Sequence, residues 1–209
     1  MIERSIVFYG VDLNSPISAR NKERYDLAMS LEVAEHLEAS SARTFISFLT
    51  ELSDTVLFGA AYTKQGGTNH INEQPHSYWA KLFASHDYFP YDLFRPIFWG
   101  DDDIEYWYQQ NTFLYVKKDT SVAKILSEAG CQPLANIGFM DCIHPILYNS
   151  KLEQISTKAL IRRLAVNMRR LVVKTIPPPL RPFARKLEKA LKLRNRSPRR
   201  RLARSSSGP

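Results

Sequence analysis

The chain has 209 residues, enough for about one domain and a tail, and its 44% hydrophobic and 11% aromatic content is ample for a packed core. No run approaches the roughly 18–20 apolar residues of a bilayer span, the first residues (MIERSIVFYG) lack a small-residue cleavage site, and two cysteines are too few for a disulfide framework or a four-ligand zinc site. These features predict a cytoplasmic protein with Cys131 and Cys142 as buried thiols. The formal charge of +8 conceals a split: residues 151–209 hold 18 Lys and Arg against 2 Asp and Glu (+16), leaving 11 against 19 (−8) in residues 1–150. Such asymmetry marks a globular domain joined to an interaction tail.

In chain order, Ser5–Tyr9 (SIVFY) reads as a short buried strand, followed by the turn formers Asp12-Leu13-Asn14-Ser15-Pro16. Tyr25–Leu31 is a second apolar run, after which come Glu32, Glu35 and His36. Phe45, Phe48, Leu49 and Leu52 fall at i, i+3, i+4 and i+7, a helix that Ser40 or Ser41 can cap. Thr55–Ala61 is a third strand, and Trp79, Leu82 and Phe83 stripe a further helix with Asn72 or the NEQP segment at its start. Alternating strands and helices imply βα units and a parallel sheet covered on both faces. Beyond residue 88 the aromatic segment Tyr88–Trp99 and the alternating Asn111–Lys117 are expected to pair antiparallel at the sheet edge, with Asp101–Asp103 opening a helical turn. The aromatic wealth of residues 78–115 reads as core.

From about residue 151, Ile161, Leu164, Met168, Leu171 and Val172 form one helical stripe and Arg162, Arg163, Arg169, Arg170 and Lys174 the other. Pro177–Pro179 ends that helix, a second basic helix carries Phe183, Leu187 and Leu191, and residues 195–209 read as disordered. The basic segment suits an anionic membrane, nucleic acid, or a solvated appendage.

YDLAMSLEVAEHL (residues 25–37) resembles the (F/Y)DL-x-x-x-(L/E)-E-V-x-E-H stretch of class I S-adenosylmethionine-dependent methyltransferases, where it forms the fourth strand and the turn beyond. VLFGAAYTKQGGTNHINEQPHSYW (56–79) is similar to their fifth strand, loop and helix, and WYQQNTFLYVKK (107–118) to the last strand of one bacterial subgroup. The likeness covers residues 5–120. It implies an α/β fold, a partial Rossmann-like sheet of strands 3-4-5-7-6, with strands 1 and 2 missing and basic helices at the C-terminus. The front departs from the family. No Gly-x-Gly precedes Tyr25, and the 12 residues between Asp12 and Tyr25 cannot hold a helix, a third strand and two loops. A fragment is expected, with a degenerate relative as the alternative. The organisation follows: a partial methyltransferase domain (1–120), a connecting extension (121–150), basic helices (151–194) and a basic tail (195–209). Ser5–Tyr9, deprived of its family neighbours, is expected to slide beside Tyr25–Leu31 or remain frayed, leaving an edge prone to aggregation.

The resemblance also assigns sites. Asp12 and Leu13 match the cofactor's adenine contact, Asp12 having the rival role of opening an Asx-turn. Glu32 and Val33 match the stretch beside the cofactor, against the reading of Glu32 as a solvated helix-start carboxylate. His36 and His70 are candidate proton acceptors, since an imidazole titrates near neutral pH, and a structural hydrogen-bonding role is the alternative. Asn72 and Glu73 line the implied acceptor pocket, Asn72 being also a possible helix cap. The spacing of Glu35, His36, His70, Glu73 and His76 matches no compact ligand motif, so no metal is expected. The implied activity is methyl transfer from S-adenosylmethionine to an unidentified acceptor, a small molecule or glycan, with impaired cofactor binding. The rival is a non-catalytic remnant that binds a membrane or nucleic acid through its tail.

Overall fold

The computed structural model describes residues 7–15 and 24–175. The chain divides after Asn149 into two units. In the first, strand β1 (Ala28–Leu31) leads through two 3₁₀ turns (Ala34–His36 and Ala39–Ser41) to helix α1 (Ala42–Leu52) and strand β2 (Thr55–Gly59). Helix α2 (His76–Ala84), strand β3 (Tyr88–Tyr91), the short helices α3 (Arg95–Phe98) and α4 (Tyr106–Asn111), and strand β4 (Phe113–Lys117) follow. Helix α5 (Ser121–Glu128) and a 3₁₀ turn (Ile137–Asp141) come next, then helices α6 (Pro145–Ile155) and α7 (Thr157–Thr175).

The fold class is α/β, built on one mixed sheet in the order β1-β2-β4-β3. β1 runs parallel to β2, with Ala28 opposite Val56 and Leu31 opposite Gly59. β4 is antiparallel to both its neighbours, with Phe58 opposite Phe113 and Tyr91 opposite Leu114. The expected pairing of the two aromatic segments is therefore present, but β4 lies inside the sheet and β3 forms the edge.

Burial explains why these segments take these forms. β2 is buried along nearly its whole length, as a central strand covered on both faces must be. α1 buries Ala42, Phe45, Ile46 and Leu49, a stripe at helical spacing, while Phe48 and Leu52 pack at its margin. Trp79 and Phe83 of α2 enter the same core, where Phe83 stacks on Tyr115 at 3.9 Å and meets Phe58 edge-on at 5.3 Å. Each such fully buried side chain stabilises the fold by about 1.5–3 kcal/mol.

Four expectations need correction. Residues 5 and 6 lie outside the described residues, and Val7–Tyr9 form no strand; all three side chains are exposed, so the sheet begins at β1 rather than with a third family strand. Ser41 precedes α1 but caps nothing: its backbone is already helical (φ −86°, ψ −12°) rather than extended, and its hydroxyl donates to the Asn14 carbonyl at 3.0 Å. Asn72 does not cap α2, whose preceding residue is Pro75. Cys142 is exposed and Cys131 half-buried, both as free thiols.

In the second unit, α7 runs over Thr157–Thr175, and its apolar residues Ile161, Leu164 and Met168 each show more than half their surface. The second basic helix and the tail lie outside the described residues. No helix among the described residues is long and apolar enough to cross a membrane.

Candidate functional site

The polar side chains of the first unit gather at the carboxyl ends of the parallel strands β1 and β2, where ligand crevices form in open α/β sheets. Glu32, just past β1, has φ 53°, in the left-handed region that non-glycine residues rarely occupy. Its N–H still donates to the Gly59 carbonyl at 2.9 Å, so the ladder runs one residue beyond the strand before the chain turns sharply. Such a conformation costs about 1–3 kcal/mol and persists only where surroundings enforce it. Here they do. Asn111 Nδ2 donates to Glu32 Oε1 at 2.9 Å and Gln65 Nε2 reaches Oε2 at 3.4 Å.

Those two amides belong to a buried network. Asn111 and Gln110 end α4, Gln65 sits in the loop after β2, and Gln110 and Asn111 are almost wholly enclosed. Gln65 Oε1 accepts from Asn111, from Gln110 and from the Tyr62 backbone N–H, while Gln110 Oε1 accepts from the His144 N–H at 2.7 Å. His76 Nδ1 lies 2.8 Å from the Met140 carbonyl and Nε2 lies 3.0 Å from Asn111 Oδ1; burial drives its pKa down, and the neutral ring has one N–H to donate to these two acceptors. Arg95 closes the far side: it pairs with Asp92 at 2.6 Å, donates to the Phe139 and Met140 carbonyls, and lies 4.4 Å over the Phe113 ring.

Burial raises the Glu32 carboxyl to about 7; the Asn111 bond opposes that shift, and the neighbouring Glu35 charge reinforces it. Near neutral pH this carboxyl is therefore poised between its two protonation states.

Glu35 is wholly buried on the 3₁₀ turn after β1. Its backbone carbonyl accepts from the N–H groups of Ile71 (2.9 Å) and Asn72 (3.0 Å), which fastens the loop after β2 onto this turn. Neither of its side-chain oxygens has a hydrogen-bond partner. His70 Nε2 stands 3.9 Å from Oε1. His70 Nδ1 meets Glu73 Oε1 at 3.1 Å, and that oxygen also accepts from the Gly66 N–H at 2.6 Å. His36 Nδ1 lies 3.3 Å from the Asn69 carbonyl, and the two imidazoles meet edge to face at 4.8 Å. Gly67 makes room for this: a Cβ there would stand 2.3 Å from the His70 ring.

Of the residues named from sequence, Glu32, His36, His70 and Glu73 share this region, joined by Asn72, whose buried amide donates to the Ala34 carbonyl at 3.4 Å. Asp12 and Leu13 are engaged elsewhere. The exposed Asp12 carboxylate accepts from the Asn14 N–H (3.0 Å) and the Ser15 hydroxyl (2.7 Å), an Asx-turn whose bonds hold its pKa low, the serine bond most. Leu13 packs against the core, and with Val33 it lines an apolar groove of about 250 Å³ along β1 and α1. Sequence reasoning missed Gln65, Gln110, Asn111 and Arg95. The one available signal was the run of three uncharged amides, Gln109-Gln110-Asn111, immediately before a buried strand.

No family model, no curated protein and no solved structure matches this chain.

Proposed function

We propose that this chain carries the strand-four to strand-seven half of a class I S-adenosylmethionine-dependent methyltransferase domain and transfers methyl groups only when the remaining strands are supplied. The observation that carries this reading is the sheet order β1-β2-β4-β3, which coincides with the 4-5-7-6 portion of the family's sheet. The strained Glu32 and its amide partners at the end of β1 add support, because strain of this kind gathers at sites. The cofactor, when bound, supplies an electrophilic methyl on a sulfonium. The residues present fit it in part: the half-ionised Glu32 and the neighbouring Glu35 favour a positive charge, whereas the Asp12 carboxylate is spent within its own loop. The work of the chain's own residues is alignment, with Asn111 and Gln65 fixing Glu32. His36 and His70, with Nδ1 facing Asn69 and Glu73 respectively, keep Nε2 to accept a proton from an acceptor hydroxyl or amine. A small molecule or glycan suits the loop between Gly66 and Glu73.

The apolar groove and the open edge of β1 are where further strands and helices would pack, since Met29 beside them is two-thirds exposed. The test begins at the gene. An in-frame segment encoding strand, Gly-x-Gly and helix is expected upstream of Met1, and the chain extended by it should give a calorimetric S-adenosylmethionine isotherm. Residues 1–209 alone should bind weakly or not at all. Low-micromolar binding by residues 1–209 would remove the fragment reading, and an extended chain that does not bind would remove methyl transfer.

A second reading, a membrane-associated module without catalysis, draws on α7, where exposed Leu160, Ile161 and Leu164 adjoin Arg162 and Arg163. Flotation of the chain with phosphatidylserine vesicles, but not with neutral ones, is its expected signature; equal flotation with both, or with neither, removes it.

A further inference from the structure

The geometry points to a divalent transition-metal site formed by Glu35, His36 and His70. One ligand atom from each of these residues lies within 4.8 Å of those of the other two. The first observation that asks for a cation is Glu35 itself. Its side chain is fully enclosed, neither oxygen meets a hydrogen-bond partner in good geometry, and the group beside it is another carboxyl, Glu32, so a cation would relieve the cost of burying it. The nearest base, His70 Nε2, is 3.9 Å away, too far for a hydrogen bond. With metal bonds of about 2.1 Å, tetrahedral donors stand roughly 3.4 Å apart, so closing around an ion draws the ligand atoms together by up to about 1.4 Å.

The second observation is how the imidazoles are held. His70 Nδ1 faces the Glu73 carboxylate at 3.1 Å, and His36 Nδ1 faces the Asn69 carbonyl at 3.3 Å. In both rings an oxygen acceptor fixes the hydrogen on Nδ1 and leaves the Nε2 lone pair free, which is the outer-shell arrangement of metal-binding histidines. Glu73 is itself anchored by the Gly66 N–H, and Gly67 has no Cβ to obstruct the His70 ring. Two histidines and a carboxylate suit Zn²⁺, Co²⁺ or Fe²⁺ rather than Mg²⁺ or Ca²⁺. His36 is exposed, so further coordination positions open to solvent, as in sites that accept an exogenous ligand. Ligation uses the same lone pairs that would accept a proton, so it replaces the basic role of both histidines. The site stands independently of methyl transfer.

The experiment strips the untagged full chain with chelator and titrates it with Co²⁺, following visible absorption and thermal melting. One equivalent per chain, with d–d bands of histidine and carboxylate ligation and a raised Tm, is expected. Affinity should fall about tenfold or more in His36→Gln, His70→Gln and Glu35→Gln. His36→Gln alters an exposed side chain, so it remains informative if the Glu35 variant does not fold. Absence of saturable binding, or binding that His36→Gln and His70→Gln leave unchanged, would overturn the site. No readout involves S-adenosylmethionine, so that failure would leave methyl transfer standing, with the histidines as bases.

Discussion

Around β2 and β4 the first unit is filled with rings: Phe58, Trp79, Phe83 and Tyr115 leave almost no surface to water. At the carboxyl ends of β1 and β2 the enclosure is as complete, yet it holds Glu35, His76, Gln110 and Asn111. The aromatic region gains stability from dispersion and desolvation, which need only shape. The polar region gains little net from each hydrogen bond and tolerates a left-handed glutamate and a carboxylate without a hydrogen bond. Two regions of equal burial thus contribute unequally to folding, and the weaker contributor is where the ionisable and amide side chains are concentrated.

The largest expected effect lies in the aromatic region. Phe83→Ala removes a ring stacked on Tyr115 and should destabilise the protein by about 3–5 kcal/mol, read from urea unfolding. A loss below about 1 kcal/mol would mean the rings are not what holds the unit together. Next is Asn111→Ala, which strips partners from Glu32, Gln65, Gln110 and His76; about 1–3 kcal/mol is expected from the groups left unsatisfied. A smaller change of opposite sign should follow Glu35→Leu. In the metal-free protein this replaces an unpartnered carboxylate by an apolar group of similar size and should stabilise by roughly 1 kcal/mol. Destabilisation there would show that the carboxylate is a structural element and would erase the contrast.

The finest test uses pH. Burial raises Glu32 from 4.5 to about 7, so its contribution to stability is complete below pH 4.5 and is lost as pH climbs through 7. His76 works the other way: its pKa is lowered by burial, so its contribution is present above pH 6.5 and is lost as pH falls. The two partly cancel in the wild type. Unfolding midpoints of wild type and Glu32→Gln should therefore be compared between pH 4.5 and 8; the wild type is expected to decline relative to the variant, and parallel profiles would remove Glu32 as the responsible group.

Much of the aromatic region was legible in the sequence because periodicity reports burial directly. The Phe45–Leu52 stripe, the β-branched and aromatic run of β2 and the Trp79–Phe83 stripe each announce an element and its inward face. The polar region was legible only in part. Glu32, His36, His70 and Glu73 stood out as residue types suited to chemistry, but nothing local foretells that Glu35 is enclosed or that Asn111 crosses 79 positions to hold Glu32. The left-handed turn falls on a glutamate, not on the Gly or Asn that turn statistics favour. Ser41 and Asn72 failed as caps because Ser41 already has helical backbone angles and Asn72 lies three residues ahead of Pro75, the N-cap position of α2; their side chains donate instead to the distant Asn14 and Ala34 carbonyls. Hydrogen bonds made across the fold leave no period to read.

The two edges of the sheet are finished differently, and that sets how many copies could join through it. At β3, Pro90 contributes no N–H, and its carbonyl already accepts from the Leu134 N–H at 2.8 Å. At β1, among the described residues, no second strand lies beyond, and Leu27 and Met29 stand about half to two-thirds exposed. Among the described residues the sheet therefore has one open edge. Two chains meeting through their β1 edges would each present a blocked β3 edge outward, so growth by strand addition terminates at a pair and cannot propagate as a fibre.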